Sequence, residues 1–335
     1  QYIIPPSREN ESGSQRKVGF ELEFAGISVE QTAEIVSEVF SGDFLRKSDL
    51  EFEVNSKTFG TFKIELDWQL GKQIAKKRAD LPADDTTEAD GENQDILLDG
   101  LSWLASRVVP VEVVCPPMML DDLNHLDFMV EKLRDIGAKG TEESLVYAFG
   151  VHINPEIPSA SVDSIASYLQ AFTISQKWLF HESNVDPARK IMPYINAYPE
   201  PYCNQAMMYS RQIGHEQLLA DYMQHNATRN RALDMLPLWH HLWPDDMRRY
   251  ALEDTLTQKR PTYHYRLPNC EIEKPGWYLS QAWNLWCVVE YLAAKDIKRL
   301  RLVDQWRSRT GDNFWMAEKQ WHQSLTDIYN ALLSA

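Results

Sequence analysis

Positive charge is scarce in this sequence: 34 Lys and Arg stand against 49 Asp and Glu over 335 residues, a formal net charge of −15. Affinity for nucleic acid rests on Lys and Arg contacts that release counterions from phosphate, and an acidic surface repels DNA, RNA and anionic lipid alike. Neither nucleic acid nor a membrane is therefore an expected partner. Long apolar runs are also missing. The longest, Ala282 to Ala294, is interrupted by Asn284 and Glu290 and falls short of the roughly 20 residues a membrane helix needs. Cysteine is sparse: Cys115, Cys203, Cys270 and Cys287 lie far apart, form no Cys-x-x-Cys pair, and are too few to staple a chain of this length. No basic-then-apolar leader opens the sequence, so a reducing cytoplasm is the expected compartment. Internal repeats and interdomain linkers are absent too.

What is present is core material, 44% hydrophobic and 11% aromatic, enough for one large domain. Residues 1–15, with Pro5-Pro6 and a polar run through Ser14, read as an N-terminal tail, and 16–335 as a single domain. The stretch 72–94 opens basic and turns acidic from Asp84 to Glu92. It has no apolar periodicity and reads as a solvated insertion or lid.

Strict alternation marks the strands. Lys17 to Phe24 puts Phe20, Leu22 and Phe24 on one face and Gly19, Glu21 and Glu23 on the other. Phe62 to Trp68 sets Lys63, Glu65 and Asp67 opposite four apolar side chains, and Val111 to Val114 ends at prolines that stop the ladder. Tyr147 to Asn154 turns Gly150, His152 and Asn154 to one side, and Tyr263 to Arg266 does the same with His264 and Arg266. Between them lie helical patterns. Ser28 and Gln31 form a capping box, and the apolar stripe Leu123 to Ile136 stops at Gly137. Ser161 to Phe180, Leu218 to Gln224, Leu279 to Ala294 and Asn313 to Leu333 read as further helices. Eight of the eleven tryptophans follow Leu238, which predicts a heavy helical layer over 277–335. The order implies an α+β fold: a mainly antiparallel, curved sheet with helices on one face and an open polar face.

A wet sheet face carries Glu, Lys and Asp without any chemistry, and for each strand alone that is the simpler explanation. Five strands together are harder to dismiss, because Glu21, Glu23, Lys63, Glu65, Asp67, Glu112, His152, Asn154, His264 and Arg266 include almost no Ser, Thr or Gln. Gly19 and Gly150 weaken strand interiors unless something approaches the backbone, and a ligand over the sheet is the simplest such thing. Glu21 and Glu23, two residues apart on one face, sit roughly 6.5 to 7 Å apart, a separation suited to neighbouring Mg²⁺ ions.

These residues resemble the amidoligase branch of the glutamine synthetase-like (glutamate-cysteine ligase-like) carboxylate–amine ligases. The resemblance runs in order from Gly19-Phe20-Glu21-Leu22-Glu23-Phe24 through Lys63 to Asp67, Val111 to Pro117 and Gly150 to Pro155. It continues to Arg231-Ala232-Leu233-Asp234-Met235 and Tyr265 to Pro268. Two positions depart from the family pattern: His264 stands where a glutamate is usual, and Asp234 where an asparagine is. The resemblance implies a glutamine synthetase-like catalytic domain that joins a carboxylate to an amine, on an amino acid, a peptide or a small carboxylate. It further implies ATP and two or more Mg²⁺ ions as cofactors and an acyl-phosphate intermediate. It implies metal ligands at Glu21, Glu23, Glu112 and His152, and nucleotide contacts from Lys63, Arg231, Asn154 and Arg266. Arg266 would grip the transferred phosphoryl group. Asp67 would accept a proton from the amine, or serve only as a rim carboxylate. The same face would serve a small-molecule phosphotransferase, and the two departures leave room for a relative that binds nucleotide or a partner without turnover. Oligomeric state is left open. His240-His241 and His181-Glu182 read as helix-end residues, and no helix N-terminus or basic cluster activates Cys270.

Overall fold

Alternation in Lys17–Phe24 builds β1, the strand around which the molecule is organised. In the computed structural model the described residues are 1–67, 109–141, 149–186, 189, 195–250, 258–308 and 314–335. The insertion expected at 72–94, and the alternation read at Trp68, Tyr147 and Ala148, lie outside them.

Among the described residues nine strands form one antiparallel sheet. On one side of β1 lie β5 (Val111–Val114), β4 (Gly60–Leu66), β3 (Glu51–Ser56) and β2 (Gly42–Arg46). On the other lie β7 (Val151–Pro155), β9 (His264–Tyr265) and β8 (Leu233–Asp234), while β6 (Met118–Met119) pairs with the start of β1. Ten α-helices among the described residues accompany it: α1 (Val29–Phe40), α2 (Asn124–Asp135), α3 (Val162–Glu182), α4 (Glu200–Ala206), α5 (His215–Asn226), α6 (Leu236–Leu242), α7 (Pro244–Met247), α8 (Leu279–Ala294), α9 (Asp296–Arg307) and α10 (Phe314–Leu333). The α+β class and the antiparallel sheet are as the sequence predicts. The hairpin of β2 and β3 is an addition that the pattern reading left out.

Local chemistry sets the helix ends. Ser28 Oγ accepts from the Gln31 amide while the Gln31 side chain accepts from the Ser28 amide, the reciprocal box that starts α1. Gly137 adopts φ +105° just past α2, a conformation that favours glycine over any side chain. Phe20, Leu22, Phe24, Phe62, Ile64, Val113, Val151 and Ile153 point to one side of the sheet and are fully buried in the core. Trp178, Trp239, Trp283, Trp286 and Trp321 fill the helical side, where α8 packs along α3 and α10.

Residues 1–15 are not a loose tail. Tyr2 is buried and its hydroxyl donates to Asp127 Oδ1 (2.9 Å), and the Ile3 amide donates to Asn284 Oδ1 (2.8 Å). Trp283 Nε1 donates to the Ile3 carbonyl at 2.8 Å. Next in the chain, Arg16 makes a bidentate pair with Glu290 of α8 at 2.8 and 2.9 Å, both side chains buried. Asn284 and Glu290, which interrupt the apolar run of α8, are thus the groups that hold the N-terminal segment. The polar look of 7–14 hides the apolar pair Tyr2-Ile3 that anchors it.

Candidate active site

Antiparallel register lines the polar side chains up in rows across strands. One row runs Glu23–Glu112–Glu65–Glu51 over β1, β5, β4 and β3. A second runs His152–Glu21–Val114–Lys63–Glu53. Like charges directly opposite one another destabilise a sheet, so four glutamates in one row call for a compensating cation or proton. The face is open toward β3 and β4, where Lys63 is exposed. It is closed at the centre, where Glu21 and Glu23 are each only 7% exposed and Asn154 and His264 are buried.

Two groups of donor atoms form there, each with its atoms within 4.8 Å of one another: Glu21, His152 and His264, and Glu23, Glu112 and His152. His152 joins them. Its Nδ1 lies 2.8 Å from Glu21 Oε2, and its Nε2 3.8 Å from Glu23 Oε1. Asn154 Nδ2 donates to Glu21 Oε1 at 3.0 Å, and the Gly150 amide donates to Glu23 Oε2 at 2.8 Å. The two neighbouring glutamates of β1 therefore belong to different groups.

Their electrostatics diverge accordingly. Burial opposes ionisation of Glu21, but the hydrogen bond from His152 and the positive charge of Arg260 outweigh it and hold the carboxyl well below the usual range. Burial raises Glu23, with Asp67 adding to it against His152. Burial followed by the charges of Glu21, Glu23, Asp67 and Glu65 raises Glu112 far above the carboxylate range. Burial also keeps the His264 imidazole neutral, driving its pKa well down despite Glu21.

Two arginines that sequence reasoning passed over complete the surroundings. Arg260 Nη1 donates to Glu21 Oε1 (2.7 Å) and Asn154 Oδ1 (3.3 Å), and its Nε is buried with no hydrogen-bond partner among the described residues. The signal was available: Arg260, Thr262, His264 and Arg266 share one parity, so the alternation read from Tyr263 extends two steps upstream. Arg189 donates to the carbonyls of Arg266 (2.8 Å), Leu267 (2.6 Å) and Pro268 (2.6 Å), and burial lowers its pKa to about 10. No local pattern announces it.

Arg189 also explains Gly150. A Cβ there would lie 2.6 Å from Arg189 Nη2, so the close approach is by this guanidinium and not by a ligand over the sheet. At Gly19 a Cβ would meet Asn154 at 3.5 Å, an ordinary contact, so that glycine does not mark a ligand either.

The other expected site residues fall in several places. Asp67 follows β4, its amide bonded to the Pro110 carbonyl, and its charge bears on Glu23 and Glu112. Arg266 donates to the Arg229 carbonyl (2.8 Å) and its charge acts on His264 and Asp234. Asp234 is fully buried opposite His264, accepts from Arg229 Nε (3.3 Å) and from the Leu236 amide (3.0 Å), and so is answered by cationic and amide donors. Arg231 binds Asn226 Oδ1 (2.7 Å) and the His225 carbonyl (2.8 Å) at the end of α5. His181, Glu182 and His322 gather at an exposed helix end. Cys270 is a buried free thiol that burial pushes up, the opposite of an activated nucleophile.

Fold and site together define an open-sheet α+β protein with a cluster of carboxylates and imidazoles withdrawn from water at the centre of its sheet. A family model described as "Putative amidoligase enzyme" matches residues 14–288, and the chain belongs to this amidoligase family. No curated protein and no solved structure matches it. No helix among the described residues is long and apolar enough to cross a membrane.

Proposed function

We propose that the protein is an ATP- and Mg²⁺-dependent carboxylate–amine ligase of glutamine synthetase-like ancestry, acting on an amino acid, peptide or small carboxylate. The observation that carries this reading is the row Glu23–Glu112–Glu65–Glu51 beside Glu21 and His152: an arrangement costly without cations and suited to hard divalent ions that travel with phosphate. The donor chemistry fits, since Glu21, Glu23, Glu112 and His152 would hold the ions. Bound there, Mg²⁺ neutralises polyphosphate charge.

Amide formation in water is uphill, so ATP would phosphorylate the carboxylate and the amine would displace phosphate from the acyl phosphate. Such transfers ask the protein for positioning and charge. Lys63 at the open edge and Arg266 beyond β9 supply fixed positive charge for phosphoryl oxygens. The buried, unpartnered Nε of Arg260 is a further donor in the same neighbourhood. Asn154 orients Glu21, and Asp67, with its neighbours negative, would take the proton that the amine loses. Arg231, bonded to the end of α5, fits a nucleotide contact less well than Arg260.

The test incubates the protein with ATP, Mg²⁺ and pooled acids and amines and follows ADP and condensed product by mass spectrometry. A product that has lost water is expected. One that gains phosphate instead would make the protein a phosphotransferase, and nucleotide binding without turnover a non-catalytic relative. Glu21→Gln combined with Glu23→Gln should abolish the turnover with the fold intact by circular dichroism.

A further inference from the structure

We propose that His181, Glu182 and His322 form a Zn²⁺ site that fastens the end of α3 to α10. The site shares no residue with either donor group of the sheet, so it stands independently of the ligase reading.

Each of the three residues offers a donor atom, and these atoms lie within 4.8 Å of one another. Glu182 Oε1 lies 3.1 Å from His181 Nδ1 and 3.9 Å from His322 Nε2. Bonds of about 2.0–2.1 Å in a tetrahedron put neighbouring donors about 3.3 Å apart, so side-chain adjustment alone closes the set around one ion. Between His181 and Glu182 the ion replaces a hydrogen bond: Nδ1 becomes the ligand, and the ring hydrogen moves to Nε2 of a side chain that is 72% exposed. Two imidazoles and one carboxylate are a donor set that suits Zn²⁺, with the fourth position left to water. Mg²⁺, which asks for oxygen, is poorly served by it.

The framework under the donors is fixed. Trp178 of α3 is fully buried, its Nε1 donates to Thr326 Oγ1 of α10 at 3.0 Å, and its ring packs edge-on against Tyr329. The two imidazoles, one from each helix, meet with ring centroids 4.9 Å apart and planes at 88°. One turn earlier on each helix, Lys177 Nζ lies 3.8 Å from Glu318 Oε1, so the lysine of this face is itself answered by a carboxylate. His181 and Glu182 also belong to the last turn of α3, where the negative end of the helix dipole favours a cation.

The experiment strips the full chain of metal, removes the chelator and titrates with Zn²⁺ alone by calorimetry. A second titration with Co²⁺ reads the visible bands of four-coordinate ligation. Both the unaltered protein and the Glu21→Gln, Glu23→Gln variant, which lacks two carboxylates of the sheet, should bind an ion with those bands. Losing an outer partner of a metal site already costs about 10–100-fold in affinity, so losing a ligand should cost at least as much. His322→Ala or His181→Ala, added to the Glu21→Gln, Glu23→Gln background, should therefore weaken Zn²⁺ binding by at least about tenfold and abolish the bands. Zn²⁺ should also raise the melting temperature of that background and not of the histidine variants. Absence of Zn²⁺ binding, its loss in the Glu21→Gln, Glu23→Gln variant with the fold intact by circular dichroism, or unchanged affinity in a folded histidine variant would overturn the proposal. If His322→Ala fails to fold, His181→Ala decides.

Discussion

Glu112 faces Glu23 and Glu65 across its two neighbouring strands, and burial plus those charges keep a proton on it well above the ordinary carboxylate range. Two consequences follow for the metal-free protein. Because the folded pKa exceeds the unfolded one, the folded state binds the extra proton in the window between them. Stability therefore falls as pH rises through that window. In chelator from about pH 5 to about pH 8 the melting temperature of the unaltered protein should fall relative to that of Glu112→Gln, in which His264 and the other titrating groups are the same and only this contribution is removed. Divalent cations need the carboxylate ionised, so binding should release a proton in the same window. Calorimetry in two buffers of different ionisation enthalpy measures that release directly. At this scale the sequence was informative about which residues share a face, since parity alone places Glu21, Glu23, Glu112, His152, Asn154 and His264 together. It could not say that the face is dry at its centre, because solvent exclusion depends on chain that arrives from elsewhere, such as Arg260 and Arg189.

Among the elements, β9 shows how little local pattern a working strand needs. It is two residues long, His264–Tyr265, and its continuation through Pro268 is held by Arg189, whose guanidinium fills the space that Gly150 leaves open. Gly150→Ala should push Arg189 off those carbonyls at a cost of about 1–3 kcal/mol. It should also impair turnover through Arg266 and His264, read as a lowered melting temperature together with a reduced kcat. The capping box, the glycine stop after α2 and the full extent of α8 were legible, because each is written within one helical turn or one apolar stripe. The β2–β3 hairpin was not. Its outer strand, Gly42–Arg46, exposes Phe44 and Leu45 and so lacks the one-sided alternation that marks a half-buried strand.

For the whole molecule, the decisive contact is between Arg16 and Glu290, to which Tyr168 Oη and Trp286 Nε1 also donate. Glu290→Gln leaves a buried guanidinium without its counter-charge and should lower stability by about 3–5 kcal/mol in urea titration. In the sequence Glu290 reads as a break in an apolar run and residues 1–15 read as a tail. A buried ion pair has no signature when its members lie at opposite ends of the chain.

Arg16 immediately precedes β1, and the pair spans 274 positions. A slip of β1 by one residue would turn Glu21 and Glu23 into the core and Phe20 and Phe24 out of it. The arginine thus acts as a peg that fixes the register of the strand carrying the carboxylates. Contacts so distant in sequence close late, because the loop entropy must be overcome first. The order of assembly then puts the helical layer before the final register of the strand that bears Glu21 and Glu23. In pulse-labelled hydrogen exchange during refolding, the amides of β1 should gain full protection no earlier than those of α8.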